Sequence, residues 1–336
     1  MTQQDPQTAP GLDPQIAEAV RRVAAAGLPP ISALTPAQVR SGAAAQERVD
    51  PAWWGPVAAV EELTVPGAVG DLPARLYRPQ PPAGSGDGSS AGSGAASSAG
   101  GSEATPLVVF FHGGGFVLGD LESHDGQARM LAAESGSVVV SVAYRLAPED
   151  PFPAAPDDAV SATAWLRDHA ADLGADPQRV AVAGDSAGAN LAAVAAQSPA
   201  GEGLAAQLLV YPAVSGGRGD FPSVRENASA PVLDRAAVEW FGRHYRGDAT
   251  DVRFAPLDAP SLAGQPPAVV GVAGFDPLRD EGIAYAQRLE AEGVPVVLRR
   301  HDDLVHGFFG MGPVSASADR ASRGLCRDLG ELLGTR

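Results

Sequence analysis

The 336-residue chain lacks lysine, has a single cysteine, and contains no uninterrupted run of about 18 apolar residues. All 24 of its Lys/Arg positions are arginines, and 40 acidic residues outnumber them, which gives a formal charge of −16. Because nucleic acids and anionic membranes attract cationic surfaces, this balance argues against either one as a partner. Without a long apolar run, the sequence also predicts no stable membrane association.

The one cysteine and the start of the chain point to the compartment. Cys326 lies in a stretch whose apolar residues fall at helical spacing, so we interpret it as a packed thiol without a disulfide. The first residues have neither the basic start nor the apolar run of a signal peptide. We therefore expect a cytoplasmic protein. With 45% hydrophobic residues, the chain is able to bury one large core.

Apolar strands and helical stretches alternate along most of the chain. After an antiparallel pair at 59–65 and 74–77, apolar strands are predicted at 107–111, 137–142, 179–183, 205–211, 268–274 and 294–298. Helices are predicted between and after them, at 122–135, 156–170, 187–197, 278–292 and 318–333. This pattern predicts an α/β fold, with a mostly parallel eight-stranded sheet flanked by helices.

Three further segments are predicted to be appendages of this core. Residues 1–50, with amphipathic helices after a disordered start, are expected to form part of a helical cap on a domain spanning 51–336. The Pro- and Gly-rich insertion at about 212–265, with one helix near its middle, is expected to complete that cap. Residues 82–105 are almost wholly Gly, Ser, Ala and Pro, which predicts a flexible loop.

Residues 179–194 read as a buried strand, an abrupt turn at Ser186 and a helix that starts near Ala187. Gly184 and Gly188 flank the serine in the spacing G-x-S-x-G, the signature of a nucleophile elbow in α/β-hydrolases. A turn this tight strains the serine backbone and brings strand and helix so close that a Cβ on either glycine would collide. A Gly-Ser loop without chemistry is the alternative interpretation.

A serine hydroxyl needs a base to take its proton and an acid to orient that base. His301 and His306 both follow the last predicted strand, at the sheet edge where the reacting groups of open α/β folds collect. We favour His306 because a glycine and an apolar pair follow it and would shield the ring from water. Asp276, just beyond strand 268–274, is the predicted acid. Nearby acids are expected to stabilise a helix dipole or shape a turn, namely Asp280, Glu281, Asp302 and Asp303.

A run of three glycines follows the strand at 107–111. Its backbone is free to turn N–H groups towards a ligand, so Gly113 and Gly114, together with Ala187, are predicted to form an oxyanion hole. A phosphate-binding loop is excluded because no G-K-[ST] or G-x-G-x-x-G pattern follows. His112 is expected to hold this loop by hydrogen bonding.

Taken together, these motifs resemble those of the bacterial hormone-sensitive-lipase family of serine esterases. The matching stretches lie in order over about 106–310 and are His112–Phe116, Tyr144–Glu149, Gly184–Gly188, Asp276–Asp280 and His306–Phe308. Two departures are Ala189, where the family commonly has glycine, and the length of the 82–105 loop. Neither departure changes Ser186, Asp276 or His306, the three catalytic candidates.

The resemblance implies an α/β-hydrolase core with a helical cap and a carboxylesterase that acts on short- to medium-chain acyl esters. It also implies catalysis by Ser186, His306 and Asp276, with no cofactor and no metal. Amidase or lactonase activity on the same residues, or a non-catalytic ligand-binding protein, are the alternatives. The sequence leaves a homodimer open. Five residues are candidates to line the acyl pocket, and burial in the core is the alternative interpretation for them. They are Phe116, Val117, Leu118, Phe308 and Phe309.

Overall fold

The computed structural model describes residues 11–45, 48–81 and 104–336. Its centre is a single eight-stranded sheet in the order β1-β2-β4-β3-β5-β6-β7-β8. The strands are β1 Val57–Pro66, β2 Asp71–Pro79, β3 Thr105–Phe111, β4 Val138–Val142, β5 Ala175–Asp185, β6 Ala206–Val210, β7 Ala268–Phe275 and β8 Val296–Val305. The pairs β1/β2 and β2/β4 are antiparallel, and all other neighbours are parallel. The predicted α/β fold and its mostly parallel sheet are confirmed.

Ten α-helices accompany the sheet in the described part of the chain. They are α1 Pro14–Ala25, α2 Pro36–Ala44, α3 Pro51–Trp54, α4 Asp125–Ser135, α5 Ala154–Asp168, α6 Ala187–Gln197, α7 Pro222–Glu226, α8 Arg235–Tyr245, α9 Arg279–Ala291 and α10 Ala316–Leu332. No helix among these described residues is long and apolar enough to cross a bilayer.

The core occupies both faces of the sheet, as expected for strands that are apolar on both sides. Successive residues of β3 alternate between the two layers: Val109 and Phe111 pack with α5, α6 and α9 on one face. Val108 and Phe110 pack on the opposite face with α4 and α10. Every residue of β4 and β6 is buried. This two-sided burial makes the sheet a rigid platform for the segments at its edge.

The N-terminal helices and α8 pack beside one end of this platform. Trp240 of α8 donates its indole N–H to the carbonyl of Leu34, which lies between α1 and α2. Arg40 of α2 donates to the carbonyls of Val117 and Ala147, at 2.9 and 2.7 Å. The disordered start expected at 1–10 and the loop expected at 82–105, apart from its last two residues, lie outside the described residues.

Candidate active site

The site begins at the turn between β5 and α6. Ser186 has φ 54° and ψ −116°, a conformation that non-glycine residues rarely adopt, and α6 starts at the next residue. A Cβ on Gly188 would lie 1.9 Å from the carbonyl oxygen of Phe111, and one on Gly184 would lie 2.3 Å from the backbone of Gly188. The predicted strain and the predicted need for both glycines are therefore present in the structure.

Three side chains form a hydrogen-bonded row at the carboxyl edge of the sheet. The Nε2 atom of His306 lies 2.9 Å from Ser186 Oγ, and its Nδ1 atom lies 2.8 Å from Asp276 Oδ2. Asp276 is fully buried, and 8% of His306 is exposed. Because a buried carboxylate accepts from Nδ1–H, Nε2 is left with a lone pair directed at the serine hydroxyl.

Each of these residues directly follows the end of a parallel strand. Ser186 follows β5, Asp276 follows β7 and His306 follows β8. Asp276 is held by the backbone N–H of Leu278, which donates to its Oδ1 at 2.8 Å. The ring of Tyr211, which follows β6, lies 4.6 Å from the imidazole centroid and keeps it in place. Three separate strand ends thus bring together residues that are up to 120 positions apart.

The alternative base, His301, is part of β8 and does not reach the serine. Its ring packs 5.1 Å from that of Phe308, and no described residue bonds its buried Nε2 atom. His112 Nδ1 lies 2.8 Å from the carbonyl oxygen of Gly113, so it holds the glycine loop as expected. Burial lowers the pKa of His112 to about 4, which keeps this ring neutral at neutral pH.

One of the predicted oxyanion-hole donors, the N–H of Gly113, is not available to a ligand. The N–H of Gly113 donates to Asp185 Oδ1 at 2.8 Å, so it is already bonded and does not serve the cavity. Gly114 and Gly115, with φ of 116° and 60°, line the cavity beside Ser186 and Ala187. No described residue accepts a hydrogen bond from the N–H groups of Gly114, Gly115 or Ala187. The available donors are therefore Gly114, Gly115 and Ala187.

A cavity of about 500 Å³ opens in front of the serine, and most of its wall is apolar. Of the five predicted pocket residues, Phe116 lines it. The prediction is wrong for Val117, Phe308 and Phe309, which are fully buried and pack into the core, and for Leu118, which borders a separate polar cavity. Phe308 and Phe309 point into the layer of α4 and α10, because the chain turns away from the cavity after Gly307.

Most of the wall comes from the segment between β6 and β7, which sequence reasoning did not resolve residue by residue. Its large apolar side chains in the cavity are Val232, Leu233, Val238, Phe241, Tyr245 and Phe254. Three of them lie on α8 at spacings of three and four, a helical periodicity that could have identified them. No described residues form a cluster of three or more metal-ligating side chains.

Comparison with known proteins finds the same architecture elsewhere. A family profile described as the alpha/beta hydrolase fold matches residues 108–310. The chain is 43% identical to esterase LipI of Mycobacterium tuberculosis over 274 residues, which cover 79% of this chain and 80% of that one. It is 40% identical to an ethyl acetate hydrolase of Pseudomonas putida, with 74% of each chain covered. The structure of a hyperthermophilic esterase from Pyrobaculum calidifontis matches with a TM-score of 0.82 and 36% identity, covering 96% of this chain and 98% of that one.

Proposed function

Because the chain belongs to the α/β-hydrolase family and is a serine carboxylic ester hydrolase, we propose that Ser186, His306 and Asp276 perform its reaction. The observation that carries this assignment is the His306 ring, which bridges Ser186 Oγ and Asp276 Oδ2 at 2.9 and 2.8 Å. Such a row activates a hydroxyl that is otherwise a weak nucleophile. The family resemblance of the motifs supports the same three residues.

In the first half of the reaction, Ser186 Oγ attacks the ester carbonyl while its proton passes to Nε2 of His306. The buried Asp276 carboxylate stabilises the imidazolium that forms. The carbonyl oxygen becomes an oxyanion and accepts hydrogen bonds from the free N–H groups of Gly114, Gly115 and Ala187. Removing a single donor of this kind typically costs about 2.7 to 4 kcal/mol of transition-state stabilisation.

In the second half, the tetrahedral intermediate collapses and the alcohol leaves with the proton from His306. The acyl group stays on Ser186 as an ester. Water then attacks this acyl-enzyme with His306 as base, the same oxyanion donors act again, and the carboxylic acid leaves. Apart from the ester and water, these steps use only groups of the chain itself.

We propose short- to medium-chain acyl esters as substrates. A cavity of about 500 Å³ with an apolar wall suits an acyl group of several carbons. The similarity to an ethyl acetate hydrolase supports small esters. Amides and lactones pass through the same type of intermediate, so comparing p-nitrophenyl esters with matching p-nitroanilides and lactones measures this preference.

The test of the assignment is p-nitrophenyl butyrate hydrolysis by Ser186→Ala and His306→Ala. We expect both variants to lose at least about a thousandfold in kcat, as triad residues do elsewhere. His301→Ala is the matched control, since this second histidine of β8 does not reach the serine, and it should keep wild-type kcat within about threefold. Wild-type rates in both Ser186→Ala and His306→Ala would overturn the assignment and place the reaction on other residues, whereas no hydrolysis by the wild type would favour a ligand-binding protein.

We propose a cytoplasmic location and, for the subunit arrangement that the sequence leaves open, a homodimer. Cell fractionation followed by active-site labelling measures the first, and sedimentation of the purified protein measures the second. An enzyme recovered outside the cytoplasm, or a monomer at micromolar concentration, would contradict them.

A further inference from the structure

Asp185 is an acidic side chain next to the nucleophile that the reaction steps above leave without a role. It is the last residue of β5, directly precedes Ser186, and borders the same cavity. Only 6% of the residue is exposed. Burying a carboxyl group costs free energy unless its oxygens find hydrogen-bond donors, so its partners indicate what holds it there.

The carboxyl group has one short contact to the oxyanion loop and two longer contacts. Gly113 donates its backbone N–H to Oδ1 at 2.8 Å, and the Tyr211 hydroxyl donates to Oδ2 at 3.4 Å. His124 Nε2 lies 3.7 Å from Oδ1. Burial lowers the pKa of His124 to about 4, so this ring is neutral at neutral pH and the contact is not an ion pair. The bond to Gly113 is therefore the principal one.

The backbone of Gly113 is shaped around this carboxyl group. A Cβ at position 113 would lie 2.4 Å from Asp185 Oδ2, a distance that no side chain tolerates. Glycine thus allows the loop to approach the carboxyl group closely. Because the Gly113 N–H is bonded to Asp185, the loop turns at the next two glycines, both at positive φ, and these carry the free N–H groups.

We propose that Asp185 is a positioning residue for the oxyanion hole: its carboxyl oxygen fixes Gly113 and so aims the N–H groups of Gly114 and Gly115 at the ester oxygen. The residue acts as a hydrogen-bond acceptor, and its negative charge is not required. Burial raises the pKa of the Asp185 carboxyl, whereas the bonds from Gly113 and Tyr211 lower it. The inference rests on the proposed function of Ser186.

Two substitutions of Asp185 distinguish the effect of the hydrogen-bond acceptor from the effect of the negative charge. Asp185→Asn keeps an oxygen in the place of Oδ1 and should retain kcat for p-nitrophenyl butyrate within about threefold. Asp185→Ala removes the acceptor and should lower kcat about 10- to 100-fold, a partial loss of the oxyanion contribution, with KM within about threefold. Asp176→Ala, at the opposite end of the same strand, is the matched control and should keep wild-type values.

A second measurement distinguishes a displaced oxyanion hole from a general loss of folded protein. All rates are expressed per Ser186 that a fluorophosphonate labels on long incubation, so unfolded protein does not count. An alkyl boronic acid, whose tetrahedral adduct on the serine resembles the intermediate, should bind Asp185→Ala about 10- to 100-fold more weakly, in proportion to the loss of kcat/KM. A purely structural role would lower the number of labelled sites without this change.

If Asp185→Ala does not fold, Gly113→Ala tests the same bond from the other side, because its Cβ displaces the carboxyl group. It should then show the loss of kcat and of boronic acid affinity. Wild-type kcat in whichever of these two variants folds would overturn the inference, as would a loss confined to KM or an equal loss in Asp185→Asn. Activity in Ser186→Ala would instead overturn the proposed function itself, so the two failures are distinguishable.

Discussion

The backbone conformation at Ser186 supports the proposed role of its side chain. A non-glycine residue at φ 54° is held against its preference, at a typical cost of about 1 to 3 kcal/mol. Its N–H donates to the carbonyl of Val210 at 2.8 Å, and its own carbonyl accepts from Asn190 of α6 at 3.1 Å. These bonds fix the turn, and the turn presents the hydroxyl to His306.

Substitution of Gly188 tests how tightly this turn is packed. Its Cβ would meet the carbonyl oxygen of Phe111 at 1.9 Å, and backbone cannot move aside as a flexible side chain does. We expect Gly188→Ala to lower the free energy of unfolding by at least about 3 kcal/mol and to abolish esterase activity. Urea denaturation and p-nitrophenyl butyrate hydrolysis measure the two effects.

Gly324→Ala is the matched control for that substitution. Gly324 lies inside α10, and a Cβ there meets no atom within 4 Å. Alanine at this position should raise the free energy of unfolding by about 0.5 to 1 kcal/mol, because glycine is costly in a helix interior. Equal tolerance of alanine at positions 188 and 324 would show that the strand and helix are not in close contact at the elbow.

The sequence did not predict correctly which way several side chains and one backbone N–H group point. It identified the residue types at the strand ends, Ser186, Asp276 and His306, because strand, turn and helix signals are local. It assigned Phe308 and Phe309 to the pocket and Gly113 to the oxyanion hole, and both assignments were wrong. Which way each group points depends on contacts with Asp185 and with α10, which are distant in sequence.

Among the helices, α8 contributes most to the wall of the cavity in front of Ser186. Asp234 caps it by accepting from the N–H of Ala237 at 2.7 Å, and Trp240 joins it to the N-terminal segment. Its cavity face carries Val238, Phe241 and Tyr245. We propose that this helix and the N-terminal helices together act as the cap predicted from the sequence.

A larger side chain on α8 should shorten the preferred acyl chain. Val238→Phe fills part of the cavity, and each methylene that is no longer buried forfeits about 0.8 kcal/mol, or about fourfold in kcat/KM. We expect kcat/KM for p-nitrophenyl octanoate to fall at least about tenfold, while that for the acetate stays within threefold. A series of p-nitrophenyl esters from acetate to dodecanoate measures the profile.

The control for this change is Val224→Phe. Val224 lies on α7, is 40% exposed, and does not border the cavity. It should leave the acyl-chain profile unaltered. An identical profile in Val238→Phe and wild type would mean that the acyl group binds elsewhere.

The elements themselves were largely predictable, and the exceptions have physical causes. Helix α1 lies in the N-terminal segment for which amphipathic helices were predicted, since a proline opens it and its apolar residues recur at helical spacing. Strand β8 was predicted to end at 298, yet it continues to Val305 through a run of polar residues. An edge strand has a solvent-exposed side, so apolar composition does not reveal its full length.

The whole molecule should lose stability in acid, and His112 is a principal cause. Its pKa is about 4 in the folded protein and about 6.5 when unfolded, so the unfolded chain binds a proton first as the pH falls. The neutral His112 ring therefore contributes about 3 kcal/mol to the free energy of unfolding above about pH 6.5. This contribution is lost as the pH falls to about 4. His112→Asn, which keeps a donor for Gly113, should remove the His112 contribution to this pH dependence in urea denaturation.

The titration of Glu281 should change the free energy of unfolding in the opposite direction to that of His112, so each residue is a control for the other. It is buried, accepts bonds from Val214 and Ser215, and has a pKa raised to about 7, chiefly by burial. Its contribution is fully present below about pH 4.5 and is lost as the pH rises through about 7. Relative to Glu281→Gln, the wild type should therefore weaken as pH rises over this range. The same pH slope in both substitutions would contradict the two assignments.

In the proposed mechanism, hydrolysis depends on Ser186 becoming acylated with the help of His306. The most direct measurement is labelling by a fluorophosphonate probe, followed by digestion and mass spectrometry of the modified peptide. The account predicts rapid labelling of wild type at Ser186 alone, none in Ser186→Ala, and labelling slowed at least about a hundredfold in His306→Ala. Modification of a different residue, or undiminished labelling without His306, would contradict it.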